Sequence, residues 1–288
     1  MRLAASNRET VGSAAITDCH VHVFEDRKRY PLQIVSTYAP PLSPVGTLLE
    51  VAEAAGVARF VLVQPTPYGD DLSVLKMALS ALNGRARGVG VAQASTTQKE
   101  LLRMRDAGVV ALRFVGTKLP DGSAMPGTVS LDALCSGLGS NLRELGMHAE
   151  LWAPLPEILT RWNQLESVGI PIVLDHMGGF DPGLGRDHKD FQRLLTLLRE
   201  GKVWVKLAIC RRVSGSNVDP LRPFHDDMIA ANSDRLLWAS DFPFVRYQGS
   251  TPTTSGLLAQ FHSWVPDKEV AHRILTQNPA RLYQFTRH

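Results

Sequence analysis

The chain has 288 residues, 44% hydrophobic and 20% charged, enough to bury the core of one large domain or two small ones. A net charge of +3, with basic residues scattered apart from short clusters such as Arg27-Lys28-Arg29 and Arg211-Arg212, excludes a nucleic-acid surface built on dense positive charge. Three distant cysteines (Cys19, Cys135, Cys210) exclude a disulfide framework and suit a reducing cytoplasm, and no apolar run nears the roughly 18 residues of a membrane span.

The first fifteen residues carry Arg2, Arg8 and Glu9 without an apolar h-region, so residues 1–15 read as a flexible arm and not as a signal peptide. From residue 16 onward the chain alternates. Strand-like runs at 16–24, 60–64, 88–93, 109–114, 148–152, 172–175, 203–209 and 236–239 are nearly continuous apolar stretches, the pattern of parallel strands covered on both faces. Between and after them, helical periodicity occupies 45–55, 72–82, 98–107, 131–145, 155–167, 188–199, 224–231 and 256–264. Gly56, Gly84, Gly108, Gly146 and Gly169 each follow such a helix as a stop signal. Eight strands alternating with eight helices predict a single-domain (β/α)8 TIM barrel over 16–288. The competing open, doubly wound sheet loses its usual support because no Gly-rich dinucleotide fingerprint follows the first strand. The longer loops follow strands one, four, six and eight and leave the C-terminal face, where barrel enzymes keep their chemistry.

Four residues stand at the ends of these strands. The first strand reads Thr17-Asp18-Cys19-His20-Val21-His22. Positions two apart point the same way on a strand, so His20 and His22 face one side, with Cys19 on the other as a core residue. Two imidazoles converging inside a barrel mouth are costly unless they bind something. The sixth strand ends in Asp175-His176 before Met177-Gly178-Gly179, and the eighth in Ala239-Ser240-Asp241 before Phe242-Pro243. Asp241 is either a helix N-cap or a catalytic carboxylate, and the following Phe-Pro argues against the helix. Asp175 is a minor candidate for orienting a neighbour. Met104, Met125, Met147 and Met228 read as packing residues, and His188, His225, His262, His272 and His288 as helix-surface or terminal residues.

Taken together, His20-x-His22, Asp175-His176-Met177-Gly178, Val205-Lys206, Trp238-Ala239-Ser240-Asp241-Phe242-Pro243 and the tail Gln277-Asn278-Pro279-Ala280-Arg281-Leu282-Tyr283 resemble the amidohydrolase superfamily, in the branch called amidohydrolase family 2. The resemblance runs from Thr17 to about Tyr283. It implies that Asp241 is the general base for an attacking water and that His20, His22 and His176 bind a metal or polarise the carbonyl. Metal-dependent members usually place a strand-five histidine in the site. Here His148 starts that strand and Trp152 ends it, so the resemblance points to the branch's metal-independent lactonases. Zinc held by His20, His22 and Asp241 is the alternative, since three protein ligands plus water form a known catalytic arrangement.

Within the lactonase subgroup, which includes enzymes acting on pyrone dicarboxylates and on sugar-acid lactones, the matching stretches are 28–41, 63–69, 111–114 and 206–212. They imply carboxylate binding by Tyr38, Thr66, Arg113 and either Arg212 or Arg211, since a guanidinium fork suits a carboxylate. Two departures matter. Lys118 is followed by Leu119 where the pattern has a further basic residue, and Trp152 stands where the pattern has tyrosine. The expected substrate is a small anionic lactone, possessing one carboxylate or more, with no nucleic-acid or membrane partner and a monomeric or homo-oligomeric state. A sugar-acid lactonase, a zinc-dependent decarboxylase or amide hydrolase, and a non-catalytic carboxylate-binding barrel are the alternatives. The four intact residues argue against the last.

Overall fold

The computed structural model describes residues 15–212, 217–247 and 250–285. The arm expected over 1–15 thus falls almost wholly outside the described residues, as does His288. Eight parallel strands run in sequence order around one sheet: β1 (Thr17–Val21), β2 (Arg59–Val63), β3 (Ala86–Gly90), β4 (Val109–Val115), β5 (His148–Trp152), β6 (Ile172–Leu174), β7 (Trp204–Leu207) and β8 (Leu236–Trp238). The sheet closes on itself at a short seam. Val21 bridges Phe242 in parallel, the His22 amide donates to the Phe242 carbonyl at 2.8 Å, and the Asp241 amide to the His20 carbonyl at 2.9 Å. The backbone bonds that close the barrel therefore also fix His20, His22 and Asp241 against one another.

The outer layer comprises α1 (Val45–Ala55), α2 (Ser73–Ala81), α3 (Gln98–Asp106), α4 (Leu131–Ala133), α5 (Gly139–Glu144), α6 (Leu155–Thr160), α7 (Trp162–Ser167), α8 (Lys189–Arg199), α9 (Arg222–Asn232) and α10 (Thr254–Trp264). Local chemistry sets their ends. At α1 the chain turns on Gly56 at φ +70°, and the Gly56 amide bonds back to the last turn. At α3 a full capping box joins Thr97 and Glu100. α8 buries Phe191, Leu194, Leu195, Leu197 and Leu198 on one stripe. The helix expected over 131–145 is broken into α4 and α5 by a wide turn at Leu134–Leu138. The helix expected over 155–167 breaks at Arg161, giving α6 and α7. Both breaks keep the apolar stripe, which is all that periodicity reads.

Beyond α10 the chain adds α11 (Lys268–His272) and α12 (Asn278–Leu282), which periodicity did not predict. Leu282, Tyr283 and Phe285 pack into a cluster with Val61, Val89, Val173 and Leu237, the inward-facing residues of the strands, so the tail plugs the barrel floor. Cys19 belongs to this same inner cluster, which corrects its expected placement on the face opposite His20. The register shift between Asp18 and Val21 is the cause, since a bulge lets consecutive residues face the same way. His225 is also corrected. It is 1% exposed and packs edge-on at 5.2 Å from Trp264, where burial lowers its pKa to about 4. No helix among the described residues is long and apolar enough to cross a membrane.

Candidate active site

Strand polarity brings the predicted residues together at the C-terminal mouth. His20 and His22 come from the end of β1, His176 from the turn after β6, and Asp241 from the seam after β8. His176 and Asp241 have φ of +50° and +64°, left-handed values that cost a side-chain-bearing residue about 1–3 kcal/mol and cluster at functional sites. Next to His176, Gly179 at φ +70° is required. A Cβ there would lie 2.1 Å from the Ala153 carbonyl oxygen, so only glycine lets the β6 loop pack against the end of β5.

Asp241 sits at the centre. Its Oδ1 lies 3.5 Å from His20 Nε2 and 3.4 Å from His22 Nε2, and its Oδ2 lies 3.9 Å from His176 Nε2. Arg211 donates from Nε to Oδ2 and from Nη1 to the Val245 carbonyl. Burial pushes all three imidazoles down. His22 falls to about 3, and His20 and His176 lie well below the usual histidine range, so all are neutral near pH 7. A partner then fixes the tautomer of His22. His22 Nδ1 lies 2.8 Å from the Val63 carbonyl, which only accepts, so Nδ1 carries the proton and Nε2 turns a lone pair toward Asp241. His20 Nδ1 lies 3.2 Å from both the Lys206 ammonium and Asp175 Oδ1.

A cavity of about 200 Å³ opens above this centre, smaller than the roughly 300–1,000 Å³ of drug-sized sites and suited to one small ring. Nine of the predicted residues line it: His22, Tyr38, Thr66, Arg113, Trp152, His176, Arg211, Arg212 and Asp241. Arg211 and Arg212 both face it, which answers the either-or left by the sequence. His20 is fully buried, beneath the cavity and outside its lining. Lys118 is solvent-exposed, bridged to Ala124 and outside the lining, so the structure does not bring it to the site.

Arg246 lines the cavity and was missed. It reaches in from the loop after β8, its guanidinium 4.8 Å from the Tyr38 ring centroid, and no periodic or motif signal marks it. The four arginines are not equivalent. Arg113 binds Asp175 Oδ2 at 2.9 and 2.8 Å, and Arg211 binds Asp241. Arg212 bonds the Phe180 carbonyl, and Arg246 bonds Thr37 Oγ1. Neither has a carboxylate partner among the described residues.

A closed parallel barrel with a histidine–aspartate centre at the ends of strands one, six and eight defines a barrel hydrolase site of the amidohydrolase type. The chain belongs to the amidohydrolase family, whose model matches residues 17–285. It is 28% identical over 282 residues to a 2-pyrone-4,6-dicarboxylate hydrolase of Comamonas testosteroni, covering 94% of this chain and 90% of that protein. It is 30% identical over 271 residues to a 4-sulfomuconolactone hydrolase of Rhizobium radiobacter, covering 92% and 89%. Among solved structures, it resembles a candidate 2-pyrone-4,6-dicarboxylic acid hydrolase of Acinetobacter baumannii with citric acid bound, at TM-score 0.78 and 27% identity, covering 93% of this chain and 99% of that one.

Proposed function

We propose that this chain is a hydrolase that opens a small carboxylated lactone, with Asp241 as the base for the attacking water. One observation carries the reading. Asp241 Oδ1 lies 3.4 Å from His22 Nε2, whose lone pair turns toward it, and both residues line a cavity walled by guanidinium groups. The group that suits two converging lone pairs is a donor, and a water with two O–H bonds meets both. The relatives support the substrate class, since they are named for hydrolysis of a pyrone dicarboxylate and a sulfonated muconolactone.

In this reaction the water oxygen bonds to the lactone carbonyl carbon as its proton passes to Asp241. The carbonyl oxygen gains charge and is stabilised by His176 and Arg113. The ring C–O bond then breaks, and the departing oxygen takes the proton from Asp241. The product is an open-chain hydroxy acid or its keto tautomer, with one carboxylate more than the substrate. Arg212 and Arg246 receive the substrate's own anionic groups, because no carboxylate among the described residues pairs with them. Replacement of Arg246 by alanine is expected to raise KM for a carboxylated lactone by about 10- to 100-fold, the worth of a charge-assisted hydrogen bond, with kcat nearly unchanged. Steady-state kinetics on a substrate with one carboxylate and on one with two would check this, the loss being larger for the second.

The proposed chemistry needs no metal. Ligand atoms of His20, His176 and Asp241 do converge within 4.8 Å, a set that differs from the expected His20, His22 and Asp241 by exchanging one imidazole. The Arg211 guanidinium already occupies Asp241 Oδ2, and the Lys206 ammonium lies against the other nitrogen of His20. Two fixed cations bracketing the ligand set raise the cost of adding a divalent one. The free cysteines suit a reducing cytoplasm. The deciding experiment is hydrolysis of pyrone dicarboxylates, muconolactones and sugar lactones by chelator-treated protein, with metal content measured in parallel. Turnover of a carboxylated lactone at negligible metal is expected. Turnover only after zinc is restored would overturn the metal-free reading, and no turnover of any lactone would overturn the function.

A further inference from the structure

Beneath the cavity lies a chain of buried polar groups that the reaction above does not use. Lys206 is fully buried in the middle of β7. Its ammonium has three N–H donors and faces three acceptors: Glu150 Oε2, Asp175 Oδ1 at 3.2 Å and His20 Nδ1 at 3.2 Å. His20, Glu150 and Asp175 are a group whose ligand atoms lie close enough together to hold a cation, and the Lys206 ammonium fills that place. Glu150 is itself anchored from the barrel floor, where Tyr283 donates its hydroxyl to Oε1 at 2.8 Å. At the upper end, His20 Nε2 and Asp241 Oδ1 face each other at 3.5 Å, both buried and both without a hydrogen-bond partner. Catalytic hydrogen bonds are often long before substrate binds and tighten in the complex.

Two groups compete for His20 Nδ1, and they demand opposite tautomers. Asp175 Oδ1 also lies 3.2 Å away and would require a proton on Nδ1, leaving Nε2 with a lone pair against the Asp241 carboxylate. Asp175 is already met by two cations, Arg113 on Oδ2 and Lys206 on Oδ1, whereas the Lys206 contact with His20 has hydrogen-bonding geometry. We propose that Lys206, held by Glu150, is a positioning residue: its ammonium fixes His20 as the Nε2–H tautomer, and so keeps a donor aimed at Oδ1 of the base Asp241. The line Tyr283–Glu150–Lys206–His20–Asp241 then couples the plug at the barrel floor to the orientation of the catalytic carboxylate at its mouth. The consequence for turnover rests on the lactonase reading, but the tautomer does not.

The test uses the intact protein labelled with nitrogen-15 at histidine, with long-range proton–nitrogen correlation spectra reporting which ring nitrogen carries the proton. His20 signals are assigned by their loss in His20→Gln. Wild-type His20 is expected in the Nε2–H form. Lys206→Met alone would bury an unpaired Glu150 and is prone to misfold, so the informative variant is Lys206→Met with Glu150→Gln, which removes both charges and leaves an oxygen for Tyr283. In that variant His20 is expected to turn to the Nδ1–H form facing Asp175, with kcat lowered by about 10- to 100-fold and KM within about twofold. An Nδ1–H form in the wild type would overturn the proposal without any substrate. So would an unchanged tautomer in the double variant, with or without a loss of kcat. If no lactone is turned over, the function fails while the spectra still decide the role of Lys206.

Discussion

Asp241→Asn is expected to lower kcat by about 10²- to 10⁴-fold, the range attributed to general base catalysis, while the protein keeps its fold and its affinity for a carboxylated ligand. The substitution is chosen for what it preserves. The amide oxygen can still accept from Arg211, whose Nε now bonds Asp241 Oδ2. The backbone bond from residue 241 to the His20 carbonyl, at 2.9 Å, does not involve the side chain, so the barrel seam stays closed. What is lost is a carboxylate able to take a proton from water beside the His22 lone pair. The measurement is a pair, kcat on the best lactone and the dissociation constant of a non-hydrolysable carboxylate, together with a thermal melt. A variant that binds and melts like the wild type but does not turn over assigns the base. Retention of near-wild-type kcat would remove Asp241 from that role, and parallel loss of binding and turnover would point instead to a carboxylate that organises the pocket.

Much of this site was legible because barrel geometry converts strand ends into an active-site rim. The two-residue spacing of His20 and His22, the glycines after His176 and the Phe-Pro after Asp241 each carry local information, and nine of the residues proposed for substrate and catalysis line one cavity. The misreadings have physical causes too. Alternation placed Cys19 opposite His20, but a bulge breaks alternation and leaves no mark in composition. His225 carries a polar side chain at a helix position, and only packing against Trp264 and Phe261 reveals it as core. Lys206 and Glu150 did offer a signal, being charged residues within the otherwise apolar runs Val203-Trp204-Val205-Lys206-Leu207 and Ala149-Glu150-Leu151. Their pairing did not, because they are 56 residues apart and meet only when the barrel closes. Arg246 and Lys118 form the reverse case. The loop after strand four suggested a cation that the structure leaves in solvent, while the loop after strand eight supplies one that no pattern announced.

The largest stability effect is expected at Arg113. Its side chain is 5% exposed and that of Asp175 is fully buried, and the two share bonds at 2.9 and 2.8 Å. Burial alone would push the Asp175 carboxyl up, but Lys206, then Arg113 and His20, overcome that and hold it well below the usual carboxylate range. Replacing Arg113 with methionine removes one of the two full charges that achieve this and leaves an under-compensated carboxylate in the barrel, a change that costs about 3–5 kcal/mol. The sign with pH follows. A carboxylate whose folded pKa is depressed contributes stability that is fully present above its unfolded pKa of about 3.9 and is lost as pH falls through the folded value. Wild-type stability from this group should therefore hold down to about pH 4, and acid unfolding of Arg113→Met should begin at a higher pH. Denaturant titrations across pH 3–8 would measure both effects. The companion Arg113→Met with Asp175→Asn separates charge from packing. If the ion pair is the source, the double variant regains most of the lost stability and its extra acid sensitivity disappears. If the double variant is as unstable as the single one, the guanidinium acts chiefly through its packing on Trp152, whose ring centroid lies 4.8 Å away, and the charge balance of the barrel interior must be drawn without Asp175.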